Sequence, residues 1–129
     1  MKKLFLIFNH TLTHRQKNDA IQSLNVTDFV SLPNELQQLW QSIPTSPKTI
    51  APCLRPLQEW LCTHAQQDDY LLIQGDFGAC YLMVNFAFTH GFIPVYSTTE
   101  REAIEVHQEN GSVKLNHMVK HCIFRKYGG

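Results

Sequence analysis

Gln74-Gly75-Asp76-Phe77-Gly78 lies between an apolar run, Tyr70-Leu71-Leu72-Ile73, and a helix-like stretch from Ala79 to His90. A chain that leaves a strand through glycines and enters a helix offers unpaired backbone N–H groups at the positive end of a dipole, which suits a phosphate. Asn9-His10-Thr11 holds a similar place after Lys3-Leu4-Phe5-Leu6-Ile7-Phe8. His10 carries an imidazole, a side chain that could serve as general base or acid, or simply hydrogen-bond within its loop. Asn9 could contact a ligand or bond its own turn.

Each of these features has a structural and a chemical reading. A G-x-x-G after a strand fits a ligand loop and a tight turn equally, and the G-x-G-x-x-G and Walker-lysine patterns are absent. Asp76 stands where a phosphate would lie, so it caps the helix or meets a hydroxyl. Thr98 and Thr99 could donate hydroxyls to a phosphate, or cap a helix. Arg101, Arg125 and Lys126 offer positive charge, or simply solvate the surface. His10 with His14, and His117 with His121, are each four apart, but neither pair has the companion ligands of a metal site, so no metal is expected. Cys80, on an apolar helix face, reads as a buried thiol.

The elements that must position these residues alternate. Leu4–Phe8 reads as a central strand covered on both faces, 15–24 as a surface helix and 26–32 as a second strand. The spacing predicts a helix over 34–43, a proline-broken loop through Pro44, Pro47, Pro52 and Pro56, and a helix over 57–65. A strand over 70–74, a helix over 79–90 and a strand over 92–96 follow, with parallel order and right-handed crossovers as the default. Asn110-Gly111 between 103–107 and 113–119 predicts an antiparallel hairpin, with helix over 100–105 as the alternative. Residues 123–127 form a further edge segment. The expectation is a single α/β domain over residues 1–129, mainly parallel, with helices on both faces and a C-terminal antiparallel β-hairpin. On such a sheet Asn9-His10-Thr11, Gln74 to Gly78 and Ser97-Thr98-Thr99 share the rim beyond the strands' carboxyl ends, where ligands bind.

A chain of 129 residues fits one domain with a real core. Eleven basic and eleven acidic side chains cancel, so there is no field to hold long DNA or RNA, whereas a small phosphate-bearing ligand remains compatible. The four cysteines lack C-x-x-C spacing and the apolar start is short, so neither a disulfide framework, a secretion signal nor a membrane span is expected, and a cytoplasmic setting is.

Four blocks together, residues 4–13, Gln74-Gly75-Asp76-Phe77-Gly78 with Tyr81-Leu82-Met83-Val84-Asn85, Tyr96-Ser97-Thr98-Thr99-Glu100-Arg101, and His121-Cys122-Ile123-Phe124-Arg125-Lys126-Tyr127, carry a resemblance. The chain resembles small CRISPR-associated proteins of the Csx type, which accompany type III systems, from Met1 to about Tyr127. That pattern often has Pro after the Thr at position 13, where this chain has His14.

The resemblance implies a Rossmann-like (CARF-like) fold that binds a cyclic oligoadenylate messenger across a two-fold dimer. Some such proteins are ring nucleases, which cut the messenger. Cyclic tetra-adenylate matches two-fold symmetry. Metal-free attack of a ribose 2′-OH would then use His10 for the proton, with Asn9, Arg101, Thr98 and Thr99 positioning or stabilising charge. Thr11, Gln74, Gly75, Asp76, Phe77, Gly78 and Ala79 would line the ligand, with no cofactor required. The alternatives are a sponge or sensor that holds the ring intact, and a structural subunit of a CRISPR effector.

Overall fold

The computed structural model describes residues 2–129, and Met1, the first residue of the expected domain, lies outside the described residues. The chain forms β1 (Lys2–Ile7), α1 (His14–Leu24), β2 (Val26–Ser31), α2 (Asn34–Gln41) and α3 (Ala51–His64). It continues as β3 (Tyr70–Ile73), α4 (Phe77–His90), β4 (Ile93–His107) and β5 (Val113–Lys126). One five-stranded sheet runs in the order β2-β1-β3-β4-β5, parallel through the first four strands and antiparallel at β5. The expected α/β architecture with a mainly parallel sheet is present. β1 is an interior strand, but the middle of the sheet is β3, because β4 and β5 extend it on the other side.

Two apolar layers sandwich the sheet. Leu4, Ala20, Leu24, Val26, Leu72 and Val95 form the layer under α1. Phe5, Ile7, Trp40, Leu54, Leu57, Leu61, Leu71, Ile73 and Met83 form the thicker layer under α2, α3 and α4. All four residues of β3 are buried, which is why its sequence is unbroken apolar rather than alternating. Each such side chain contributes on the order of 1.5–3 kcal/mol by leaving water.

Local capping sets the helix ends. Thr13 and Gln16 form a reciprocal capping box at α1, and Asn25 closes that helix in the left-handed region. Gly91, at φ 76°, closes α4 in the same way.

The proline-rich stretch departs from expectation. α3 starts at Ala51, not Leu57, and it contains both Pro52 and Pro56. Pro52 sits in the first turn, where its missing N–H would be unpaired anyway. Pro56 forfeits one helical bond, and burial of Leu54, Leu57 and Leu61 at helical spacing outweighs that loss.

The C-terminal third departs further. Four expected short segments merge into two long strands, joined by a turn over 108–112 that contains Asn110 and Gly111, the latter at φ 83°. Residues 100–105 are strand, not helix. β4 pairs with β3 only over Ile93 to Val95, so from Thr99 onward β4 and β5 project as a two-stranded arm. Among the described residues no helix is long and apolar enough to cross a membrane.

Candidate functional site

β1 is flanked by β2 on one side and β3 on the other, so the connections leaving β1 and β3 diverge and open a crevice at their carboxyl ends. The last paired residues there are Ile7 and Ile73. Beyond them Phe8, Asn9 and His10 meet Gln74 and Gly75 around a cleft of about 190 Å³. The two polar strand ends singled out in the sequence therefore share one site.

That cleft adjoins a larger cavity on each side. Asn9, His10, Thr11, Lys17, Asn34 and Gln37 wall one of about 500 Å³. Gln74, Gly75, Phe77, Tyr81, Tyr96 and Tyr127 wall the other, also about 500 Å³. Asn9 and His10 belong to the first cavity and the cleft, Gln74 and Gly75 to the cleft and the second, so the three make one groove across the rim. One end is polar and carries Lys17; the other is aromatic.

His10 and Asn9 are exposed, and the imidazole stands edge-on to Phe8 with ring centres 5.4 Å apart. Gln37 Nε2 donates to the Phe8 carbonyl at 2.8 Å and steadies the backbone from which they project.

The glycine loop is more structural than its sequence implies. A Cβ on Gly75 would lie 2.8 Å from Trp40 Nε1, and that indole N–H donates to the Gln74 carbonyl at 2.9 Å. Gly75 is thus small because Trp40 presses on it. Asp76 is the N-cap of α4, its carboxylate accepting from Ala79 N at 2.9 Å. The helix begins at Phe77 rather than Ala79, because its cap, Asp76, sits three residues before Ala79. Ala79 is fully buried with its N–H taken by Asp76, so it does not line the groove. Phe77 and Gly78 carry the remaining first-turn N–H groups, which no intrahelical acceptor can reach.

Gln74 also has a framework role, since its Oε1 accepts from Ser97 N at 2.8 Å and so ties β4 to the loop.

Ser97, Thr98 and Thr99 are not a strand end. They lie where β4 passes β3, at a bulge between Ser97 and Thr99. Thr98 Oγ1 donates to the Ile123 carbonyl and accepts from the Ile123 N–H, both at 3.1 Å, so its hydroxyl satisfies the bulge. Thr99 is exposed at the start of the arm. Arg101 stands four residues past Ser97, roughly 13 Å along the strand, opposite Val119 and away from the groove of its own chain. Arg125 Nη1 donates to Tyr96 Oη at 3.2 Å and sits beside the aromatic wall.

Ser97, His121 and Asp19 form a chain of hydrogen bonds. Ser97 Oγ is 2.5 Å from His121 Nδ1, and His121 Nε2 is 2.7 Å from Asp19 Oδ2. These are the residue types of a nucleophilic triad, but Ser97 is buried and lines none of the three cavities. The chain instead fastens α1 to both strands at the root of the arm. Burial raises the Asp19 carboxyl pKa, but hydrogen bonds from Ser23 and His121, the His121 charge and the Phe124 backbone together hold it below the usual carboxylate range. His121 therefore has both ring nitrogens engaged while His117 is exposed out on the arm.

Several groove residues escaped sequence reasoning. Lys17 looks like any surface lysine until Thr13 is recognised as the helix cap, which turns the first turn of α1 toward the rim. Tyr81 is given no site role by the sequence, yet it stands four residues after Phe77 on α4, and the two are 69% and 94% exposed, too much for core residues. Cys80, expected to be buried, is half-buried beside them, and burial pushes its thiol pKa up.

Fold and groove define an α/β protein with a ligand-sized site at a topological switch point. A family model described as "Uncharacterized protein MJ1673 family" matches residues 2–125, and the chain belongs to that family. It is 50% identical over 127 residues to "Uncharacterized protein MJ1673" of Methanocaldococcus jannaschii, covering 98% of each chain. No solved structure matches the chain.

Proposed function

We propose that the protein is a CRISPR-associated ring nuclease of Rossmann-like (CARF-like) fold that binds and cleaves a cyclic oligoadenylate, cyclic tetra-adenylate foremost, as a cytoplasmic homodimer. The observation that carries this reading is the continuous groove, in which a polar wall with Lys17, Asn9 and His10 meets an aromatic wall with Phe77, Tyr81 and Tyr96. Phosphates suit the first wall and adenines the second, because bases stack on exposed aromatic rings. The same resemblance that implies a messenger-binding family assigns its ligand residues to these two loops.

In this reaction His10 accepts the proton of a ribose 2′-OH, whose oxygen attacks the adjacent phosphorus in line. The P–O5′ bond breaks, the leaving oxygen takes a proton, and a 2′,3′-cyclic phosphate remains. The nucleophile belongs to the substrate, so the protein supplies position, a proton acceptor and charge stabilisation. Asn9 and the Phe77 and Gly78 N–H groups are the positioning donors, and Lys17 is the cation of the same groove.

Incubation with labelled cyclic tetra-adenylate in EDTA tests the proposal. Linear product is expected, and His10→Ala is expected to slow single-turnover cleavage by about 10²-fold or more. Retention of intact ring would make the protein a sponge or sensor. No change in melting temperature with saturating ring would leave neither reading standing, since ligand at a hundred times its dissociation constant adds about 2.7 kcal/mol.

A further inference from the structure

Gln74 is held by three hydrogen bonds within its own chain. Its N–H donates to the Ile7 carbonyl at 3.1 Å, its carbonyl accepts from Trp40 Nε1 at 2.9 Å, and its Oε1 accepts from Ser97 N at 2.8 Å. A backbone N–H can only donate, so the side-chain atom facing Ser97 is the oxygen and the orientation of the amide is settled. Nε2 is left with two N–H donors. Among the described residues it meets no acceptor, yet no buried side-chain nitrogen or oxygen lacks a partner, so Nε2 stands open. The open space that Gln74 borders is the central cleft and the aromatic cavity.

The place of this donor favours a base over a phosphate. The N–H that grips Oε1 belongs to the peptide joining Tyr96 to Ser97, and Tyr96 is a wall of the aromatic cavity. The free amino group therefore sits beside ring faces on which a base would stack, whereas Lys17 lies in the other cavity. The phenol of Tyr127, in the same wall, is already committed to the Ile73 carbonyl. A glutamine with both amide atoms free pairs with adenine through two bonds, one donated to N7 and one accepted from the 6-amino group. Here the oxygen is taken, so the amide can only donate.

We infer that Gln74 is a specificity-determining residue of the groove, its Nε2 donating to a ring nitrogen of a purine stacked in the aromatic cavity. Ser97, through its backbone N–H, is the positioning residue that keeps the amide donor-only. The inference rests on the cyclic oligoadenylate reading and adds to it the kind of atom by which a base is read.

Three cyclic tetra-adenylates, in which N1, N3 or N7 of every adenine is replaced by C–H, test it. Half-saturation in single-turnover cleavage, or direct binding if the ring stays intact, gives the affinity. The wild type is expected to bind one of the three about 3- to 10-fold more weakly for each Gln74 contact, the cost of a lost neutral hydrogen bond. Gln74→Glu keeps an oxygen for the Ser97 N–H and turns the donor into an acceptor, so its melting temperature should hold while it binds that analogue at least as well as the parent ring. The comparison is a ratio within each protein, so the added charge cancels. Gln74→Met removes the donor without adding charge, and with it the penalty should vanish. Equal affinity of the wild type for all three analogues, or a penalty that persists in both variants, would overturn the inference and leave the nuclease reading standing. Failure of the parent ring to bind would overturn both.

Discussion

Ser97 Oγ and His121 Nδ1 meet at 2.5 Å across the two long strands, at the point where the arm leaves the sheet. Asp19, on α1, completes the contact through Nε2. A carboxylate only accepts, so His121 Nε2 carries the proton of its bond to Asp19. The bonds join elements far apart in sequence and hold the strand whose Ser97 N–H reaches Gln74 in the groove.

Asp19→Asn is expected to cost about 1.5–3 kcal/mol at neutral pH, the range for a hydrogen bond to a charged group. The folded Asp19 pKa lies below its unfolded value, so its contribution is fully present above the unfolded value and is lost as pH falls through the folded one. Chemical denaturation from pH 7 downward should show the variant and wild type converging in acid.

Gly75→Ala and Gly78→Ala should behave oppositely. The first drives a methyl to 2.8 Å from the buried Trp40 indole and is expected to destabilise by about 1–3 kcal/mol. The second meets only contacts of 3.5 Å in the first turn of α4 and is expected to be neutral or stabilising by up to about 1 kcal/mol. Denaturation midpoints of the two variants compare them directly. A destabilised Gly78→Ala would contradict the packing described.

Phe77→Ala removes a ring that touches little of its own protein, so the melting temperature should hold. Binding of cyclic tetra-adenylate should weaken by about 1–3 kcal/mol if one base stacks there. Lys17→Gln should instead weaken binding with a smaller salt dependence, because it removes a charge rather than a platform. Titrations at two ionic strengths separate the two effects.

Tyr127 Oη donates to the Ile73 carbonyl at 2.6 Å, and burial, then the nearby Cys80 and Tyr96, push its pKa up to about 12. A phenol whose folded pKa exceeds its unfolded value stabilises below the unfolded value and loses that contribution as pH rises to the folded one. Stability should therefore fall from about pH 10 upward, and Tyr127→Phe should flatten that alkaline limb while losing the bond at neutral pH. Ultraviolet titration of the phenols would reveal the late-ionising group.

Much of the fold follows from short-range chemistry. The unbroken apolar runs of β1 and β3 have no polar face to expose, so they had to lie inside a sheet covered on both sides. Asp76 before an apolar helix had to find the N–H groups of its own first turn, and Asn110-Gly111 marked the turn of the hairpin. The pairing of Asn9-His10 with Gln74-Gly75 also followed from alternation of strand and helix, because parallel strands bring their carboxyl ends to one rim.

Tertiary structure decided what depends on partners distant in the chain. Pro56 enters α3 because three leucines of that helix find a core. Thr98 gives its hydroxyl to a bulge that exists only when β5 lies alongside, and Arg101 leaves the groove because β4 outruns β3. His121 looks like an exposed strand histidine until Asp19, 102 residues away, meets it. Periodicity and capping act within a few residues, whereas strand length, register and the sharing of a proton between α1 and β5 are settled only once the packed sheet brings those residues together.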